Sequence, residues 1–253
     1  MLTTLAVAGP TWRREPSPFA QDEAALVIAL EVTPTMRAQD VQPSRLERAA
    51  QKIRDILAQR RGTRSALVAY AGSAHLVMPL TRDGELIARF AAELSPEVMP
   101  REGNSLSEAL ALADQQLRRS GLPGSILVLT DAVPPEDLPR LAAWRKSSDA
   151  PVQLLGVAAG SDAPPPPGGP PAPALDRASL EQTAHALDAS LTIVSPDDSD
   201  VRWLTRHVRT RMVAAADPHE AGKRWQDAGY WLVWAVAALS LMWFRPGWAV
   251  QWQ

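Results

Sequence analysis

The sequence contains no cysteine, which excludes disulfide bonds, thiolate metal ligands and thiol catalysis. It has four histidines, and none lies at the spacing of a shared metal site or of a serine–histidine–aspartate triad. Neither a P-loop nor a GxGxxG motif occurs, which disfavours a nucleotide-binding doubly wound enzyme. A formal net charge of −2 over 253 residues gives no sign of a nucleic-acid partner.

One stretch stands out against these absences. Residues 24–36 read AALVIALEVTPTM, a continuous apolar run followed by polar side chains. Such a run is typical of a strand that is buried on both faces of a sheet. Glu31, Thr33 and Thr35 follow at alternate positions, so the strand is expected to deliver a carboxylate and two hydroxyls to its carboxyl end.

Apolar strands alternate with amphipathic helices along the chain. This order predicts an α/β fold with a doubly wound, mostly parallel sheet covered by helices on both faces. Strands are expected at 24–31, 65–70, 75–80, 125–130, 152–157 and 191–194, and helices at 46–57, 83–94, 105–118, 136–146, 177–187 and 198–211. The second and third strands are too close for a crossover helix, so they are expected to form an antiparallel hairpin that supplies one edge strand.

The rest of the chain divides by composition. The globular domain is expected at 22–212, with a proline-rich loop at 161–174, a linker at 213–226, a transmembrane helix at 227–245 and a tail at 246–253. Residues 228–244 are uncharged and flanked by tryptophans, as in a membrane span, and they show no polar face that would favour an amphipathic surface helix. Residues 1–21 are either an irregular start or the remnant of a membrane segment with its connection.

Five oxygen-bearing side chains are expected to meet at the carboxyl edge of the sheet. They are Glu31, Thr33 and Thr35 after the first strand, Asn104 in a loop before a helix, and Asp131 after a later strand. Parallel α/β sheets bind ligands at this edge, and Mg²⁺ prefers oxygen ligands. The sequence therefore predicts either a Mg²⁺ site or a set of hydrogen bonds within the loops.

The spacing of these residues resembles the von Willebrand factor A-type domain, whose pattern is Asp-x-Ser-x-Ser, a Gly-Thr loop and a later Asp. The corresponding residues here are Glu31, Thr33, Thr35, Gly103 with Asn104, and Asp131, followed by Ala132 in place of the usual glycine. The extra methylene of Glu31 shifts its carboxylate by about 1 Å, which disturbs a tight Mg²⁺ shell. The resemblance therefore implies a degenerate metal-ion-dependent adhesion site.

Longer segments resemble the Bat-type aerotolerance proteins. They are VQPSRLERAAQKIRDIL, LVAYAGSAHLVMPLT, DAGYWLVWAVAALSLMWFRPGW and AVAGPTW. This resemblance implies an inner-membrane binding module with a periplasmic domain, and a start of the chain that corresponds to the end of a second membrane helix. It implies other von Willebrand A membrane proteins and a MoxR-type AAA ATPase as partners. Lys223 and Arg224, on the domain side of the span, favour the opposite orientation.

An enzymatic hypothesis stays open beside the binding module. A hydrolase or transferase on the same doubly wound fold could use Glu31 and Asp131 as an acid/base pair. The two hypotheses differ in what they require of the carboxylates, because an acid/base pair must reach a substrate.

Overall fold

The computed structural model describes residues 11–14, 24–159, 176–195, 225–227 and 241. The chain divides into two compact units, Gln21–Ala215 and the pair of segments Met1–Ala20 and Ala216–Gln253. In the second unit, strand β1 (Thr11–Arg14) pairs antiparallel with strand β8 (Trp225–Asp227). None of the described helices is both long enough and apolar enough to cross a bilayer.

Several predicted segments lie outside the described residues. They are the proline-rich loop at 161–174, the helix at 198–211, and the span at 227–245 apart from Asp227 and Leu241. Asp227, the first residue of that predicted span, is the last residue of β8.

The unit Gln21–Ala215 contains a six-stranded sheet. Its strands are β2 (Ala25–Glu31), β3 (Ser65–Tyr70), β4 (Ala74–Thr81), β5 (Gly124–Thr130), β6 (Val152–Gly156) and β7 (Ser190–Ile193). Their spatial order is β4-β3-β2-β5-β6-β7, and every neighbouring pair is parallel except β3 and β4. The predicted doubly wound sheet with one antiparallel edge strand is confirmed.

Within the described residues, five α-helices flank this sheet. They are α1 (Arg45–Gln59), α2 (Gly84–Glu93), α3 (Leu106–Ser120), α4 (Leu138–Ser147) and α5 (Arg177–Leu187). Ser44 caps α1, since its hydroxyl accepts from the backbone N–H of Glu47 at 3.2 Å. Gly121 ends α3 in the left-handed conformation with φ of 63°. Short 3-10 turns occur at Pro34–Arg37, Pro96–Val98 and Pro135–Asp137.

The core has two layers, one on each face of the sheet. Alternate side chains of β2 divide between them, with Leu26, Ile28 and Leu30 packing towards α1 and α2. Ala25, Val27 and Ala29 pack in the layer of α3, α4 and α5. All seven residues of β2 are buried, as the continuous apolar run predicts. The last of them is Glu31, so the fold carries a carboxyl group into the interior at the end of its central strand.

Candidate functional site

The carboxyl ends of three parallel strands meet beside Glu31. Strand β2 lies between β3 and β5, and Leu30 is in register with Leu129 of β5. The chain continues from β2 to β3 on one side and reaches β5 on the other, so the strand order reverses here. This is the position at which open α/β sheets bind ligands. The structure therefore places the predicted site at the predicted edge.

Glu31 is the centre of a hydrogen-bond cluster and is only 1% exposed. Its Oε1 accepts from the Thr33 hydroxyl at 2.8 Å and from Asn104 Nδ2 at 3.2 Å. Its Oε2 contacts the Thr130 hydroxyl and accepts from the backbone N–H of Asp131 at 3.3 Å. The carboxyl group thus joins the ends of β2 and β5 to the loop before α3.

Thr35 extends this cluster to the surface. Its hydroxyl oxygen lies 2.9 Å from that of Thr33. Since Thr33 gives its hydrogen to Glu31, Thr35 must donate to Thr33. Thr35 is exposed, whereas Thr33 is buried. All five predicted residues therefore come together at one edge, four of them below the surface or partly so and one on it.

Glu31 is largely protonated at neutral pH. Burial raises its pKa to about 8, and the nearby charge of Asp131 adds to the rise. The hydrogen-bond pattern agrees, because the Thr130 hydroxyl has one hydrogen but contacts both Glu31 Oε2 and the carbonyl oxygen of Ala132, the latter at 2.9 Å. A protonated Glu31 donates to Thr130, and Thr130 then donates to Ala132.

Asn104 reaches the cluster because the backbone of its loop packs closely against the β3–β4 turn. The backbone N–H of Gly72 donates to the carbonyl of Arg101 at 3.1 Å. A Cβ added to Gly72 would lie 2.1 Å from the carbonyl oxygen of Glu102, so only glycine allows this approach. Gly103 has φ of 125°, which also requires glycine. Two glycines therefore set the position of Asn104.

The side chain of Asn104 is oriented by two acceptors. Its Nδ2 donates to Glu31 Oε1 and, at 3.0 Å, to the carbonyl oxygen of Ala132. Its Oδ1 is buried and has no hydrogen-bond partner among the described residues. Asn104 therefore acts as a donor in this cluster, and its amide oxygen is the one candidate ligand atom of the five residues that is buried and unpartnered.

Asp131 belongs to a second, charged cluster. Its Oδ2 accepts from Arg45 Nη1 at 2.8 Å, and the two side chains are 3% and 2% exposed. Arg45 also holds Asp40, with Nε to Oδ1 at 2.7 Å and Nη2 to Oδ2 at 2.8 Å. Asp40 Oδ2 accepts in addition from the backbone N–H of Ala159 at 2.8 Å. One guanidinium thus links two aspartates from different parts of the chain.

These contacts shift the pKa values of the charged cluster. Burial alone would lower the pKa of Arg45, but the hydrogen bonds that Arg45 donates to Asp40 and Asp131 outweigh it and raise the pKa. Burial alone would raise the pKa of Asp40, but the hydrogen bonds from Arg45 and Ala159 hold it below its usual value. Arg45 and Asp40 therefore form a charged pair across the neutral range.

Sequence reasoning missed Arg45, Asp40 and Thr130. A signal existed for Arg45, because it is the first residue of α1, where the helix dipole disfavours a positive charge. An arginine in that position indicates a specific acidic partner. No sequence pattern pointed to Asp40 or Thr130, whose roles depend on contacts with residues distant in the chain, such as Ala159 for Asp40 and Glu31 for Thr130.

The donor arrangement at this edge does not fit a divalent cation. A cation bound to Asp131 Oδ2 would lie within about 5 Å of Arg45 Nη1, given metal–oxygen distances near 2 Å, and the like charges would repel. Glu31 is engaged on both oxygens and largely neutral. Within the described residues, no three acidic or histidine side chains group as a cation site. Mg²⁺ binding by the five residues is a prediction of the sequence that a metal titration has to test.

Glu31 and Asp131 are also poorly placed as an acid/base pair. They are 1% and 3% exposed, and the hydrogen bonds and the ion pair described above engage both carboxyl groups. A general acid or base has to lie within hydrogen-bond reach of a substrate proton. The enclosed geometry favours a structural role for both side chains.

Known proteins share this domain. Residues 26–133 match the family of the von Willebrand factor type A domain. The matched part runs from β2 past Asp131 and includes all five predicted site residues. The strand order and the position of the site at the strand ends agree with that assignment.

The relatives extend the likeness to the Bat-type proteins, as the sequence resemblance predicted. BatB from Bacteroides thetaiotaomicron, a conserved hypothetical protein, superposes with a TM-score of 0.62 at 22% identity over 76% of this chain and 100% of that chain. An aerotolerance-related membrane protein from Bacteroides fragilis, with multiple mutations to serines, gives 0.62 at 23% identity over 76% and 99%. At these sequence identities, the likeness shows that this chain and the two solved proteins share a fold.

A curated relative is closer in sequence. An uncharacterized protein of Borreliella burgdorferi is 31% identical over 135 residues, which are 53% of this chain and 39% of that protein. The chain therefore spans about two fifths of the length of this relative.

Proposed function

We propose that this chain is a membrane-anchored protein-interaction module of the von Willebrand A type. It docks a protein partner at the carboxyl edge of its sheet, within a bacterial envelope assembly or stress-tolerance complex. The observation that carries this proposal is the cross-bracing of three chain segments at that edge through Glu31. Glu31 bonds to residues of the segment after β2, the loop before α3 and the end of β5.

This bracing prepares a surface for docking. Thr35 is exposed directly above the buried Thr33 and Glu31, to which it is connected by hydrogen bonds. Next to it, Arg37 pairs with Glu97, and each of these side chains is 58% exposed. Loops that are already held in place lose less conformational entropy on binding, which favours affinity. Polar groups on an ordered base are suited to recognition of another folded protein.

The membrane part of the proposal rests on the segment 228–244 and on the relatives. The similar Bacteroides fragilis protein is described as an aerotolerance-related membrane protein. We place the present chain in the inner membrane with its domain in the periplasm. Other von Willebrand A membrane proteins and a MoxR-type AAA ATPase system are the expected partners. The uncharged length and the flanking tryptophans of 228–244 suit contact with the lipid bilayer.

Site-specific photocrosslinking in native membranes tests the docking edge. A photoreactive amino acid replaces Thr35 in the full chain, and the matched control carries it in place of Arg119, which is exposed near the end of α3. The chain passes from α3 into the start of β5, so Arg119 lies towards the opposite edge of the sheet. We expect adducts with an envelope protein or an ATPase from position 35 and not from position 119. Equal labelling from both positions, or no protein adduct from position 35, would contradict the proposal.

A further inference from the structure

We infer that the guanidinium of Arg45 takes the place of a divalent cation in this von Willebrand A domain, so that its docking edge is assembled without metal. The replacement of the cation stands on the geometry of the described residues. The statement about docking rests in addition on the proposed function.

Arg45 places a positive charge directly beside Asp131. Asp131 is the acidic residue that the family pattern retains, and its carboxylate oxygen lies 2.8 Å from Arg45 Nη1. Arg45 comes from the first residue of α1, and its side chain is 2% exposed. The positive charge beside Asp131 is therefore supplied by the chain itself, and it is shielded from solvent. A resident guanidinium does not dissociate, and it remains charged at every physiological pH.

Arg45 also holds together several chain segments at the strand ends. A cation at strand ends fixes the loops that supply its ligands. Arg45 does the same, since it binds Asp131 after β5 and Asp40 in the loop before α1. Asp40 in turn accepts from the backbone N–H of Ala159 at 2.8 Å, just after β6. Three segments of the carboxyl edge are thus fixed through one side chain.

The charges at these strand ends are already paired. Asp40 and Asp131 both bind Arg45, and the N–H of Ala159 donates to Asp40 at 2.8 Å. Both oxygens of Glu31 are occupied by hydrogen-bonding neighbours. A divalent cation at Asp131 would therefore compete with Arg45 for the same carboxylate, and the two positive charges would repel each other.

The remaining candidate ligands form hydrogen bonds with one another. The hydroxyl of Thr33 donates to Glu31, and that of Thr35 donates to Thr33. Asn104 presents its Nδ2 to Glu31, and only its Oδ1 is buried without a partner among the described residues. The longer side chain of Glu31 lets its carboxyl group reach the Thr130 hydroxyl and the N–H of Asp131. The hydrogen bonds of Glu31 and the charge of Arg45 together replace the coordination shell.

Manganese binding by the purified full chain, measured by electron paramagnetic resonance, tests this inference. Mn²⁺ prefers the same oxygen ligands as Mg²⁺. We expect the wild-type chain to show no saturable binding at millimolar Mn²⁺. The double variant Glu31→Asp with Arg45→Met removes the resident charge and shortens the acid, and we expect it to bind one Mn²⁺. The matched control, Glu31→Asp with Arg54→Met, changes an exposed arginine of the same helix and should bind none.

Two results would overturn the inference. One is saturable binding of a single Mn²⁺ by the wild-type chain. The other is a folded Glu31→Asp, Arg45→Met variant that binds no Mn²⁺. If that variant is unfolded without metal, recovery of its circular dichroism spectrum in Mn²⁺ but not in K⁺ supports the inference, and failure to recover counts against it. The variant Glu31→Asp with Arg45→Lys keeps a positive charge, and we expect it to fold and to bind no Mn²⁺.

The crosslinking assay separates this inference from the proposed function. Adducts from position 35 that survive treatment with EDTA support metal-free docking, and adducts that EDTA abolishes overturn it. If no adduct forms with or without EDTA, the proposed function fails. The replacement of the cation by Arg45 is then still decided by the Mn²⁺ titration, which requires no partner.

Discussion

Two clusters at the same strand ends accommodate a buried carboxyl group in different ways. Glu31 lies in a cluster of neutral donors, and its raised pKa of about 8 keeps it largely protonated at neutral pH. Asp131, the next residue after β5, pairs instead with the Arg45 guanidinium, which lies 2.8 Å away. A buried carboxyl group is stable if it either loses its charge or gains an opposite one. The difference shows that two buried acids at the same strand ends can follow different routes.

The two clusters should differ in how they contribute to the stability of the domain. The neutral cluster depends on hydrogen bonds, which are short-ranged and need accurate placement of Asn104 and Thr130. The charged cluster depends on Arg45, whose removal leaves two aspartates without their counter-charge. We therefore expect the charged cluster to contribute more to stability and the neutral cluster to determine how stability varies with pH above the acidic range.

The largest effect is expected for Arg45→Met. This change keeps much of the side-chain volume but leaves Asp40 and Asp131 unpaired, and Asp131 is buried. Removing one partner of a buried ion pair costs about 3–5 kcal/mol. Denaturant unfolding of the full chain should show this loss as a lower free energy of unfolding.

The control for that change lies on the same helix. Arg54→Met replaces an exposed arginine of α1 and should alter the free energy of unfolding by less than about 0.5 kcal/mol. A comparable loss from both variants would indicate that the charged cluster is not special and that any arginine of α1 stabilises the helix equally.

The next largest effect is expected in the pH dependence of the free energy of unfolding, which should distinguish the neutral cluster from the charged one. The native pKa of Glu31 is about 8 against an ordinary value of 4.5, so the native state holds this proton more tightly than the unfolded state. The contribution of Glu31 to stability is therefore complete below pH 4.5 and lost as the pH rises to 8. The slope approaches about 1.4 kcal/mol per pH unit within that window. Unfolding free energies measured across it should fall accordingly.

Glu31→Gln is the matched control, since it keeps the shape of the neutral acid and cannot ionise. Its stability should lack this decline with rising pH. The contribution of Asp40 to the pH dependence of stability has the opposite sign, because its lowered pKa stabilises the native state at neutral pH. That contribution is present above the unfolded pKa and is lost as the pH falls through the lower native value. If wild type and Glu31→Gln decline in parallel between pH 4.5 and 8, Glu31 is ionised in the native state.

The sequence predicted the strand ends that carry both clusters. It predicted hydrogen-bond partners for Glu31, but it did not predict the partner of Asp131. The apolar run ending in Glu31 placed that residue at the central strand end, and the short gap before residue 75 predicted the hairpin. Arg45 escaped notice because Ser44 already explained the start of the helix. Its partners lie 5 and 86 residues away in the chain, and such contacts follow from tertiary packing.

Thr130 tests the neutral cluster at a single hydroxyl. Thr130→Val keeps the shape of this fully buried side chain and removes its contacts with Glu31 and the carbonyl of Ala132. The carboxyl group then lacks one partner, and a loss of about 1–3 kcal/mol is expected. Thr183→Val is a control of the same chemistry, since that buried hydroxyl donates to the carbonyl of Ser179 within α5. The two variants should differ in the pH dependence of stability, which Thr130→Val alone is expected to change.

The smallest effect is expected for Ser44→Ala, which removes the cap of α1 immediately before Arg45. The Ser44 hydroxyl accepts from the N–H of Glu47 at 3.2 Å, and loss of such a cap costs about 1 kcal/mol. Because α1 begins at Arg45, this change should loosen the charged cluster and leave the neutral one in place. Two backbone amides report on the clusters separately, Ala159 bonded to Asp40 and Asp131 bonded to Glu31.

Hydrogen exchange should therefore accelerate at the amide of Ala159 more than at that of Asp131 in the Ser44→Ala chain. Ser95→Ala is the control, because Ser95 precedes a 3-10 turn without a side-chain capping bond. It should leave both amides unchanged. Equal acceleration at both amides in Ser44→Ala would mean that the two clusters open together as one cooperative unit, and the distinction between them would then describe their chemistry but not their dynamics.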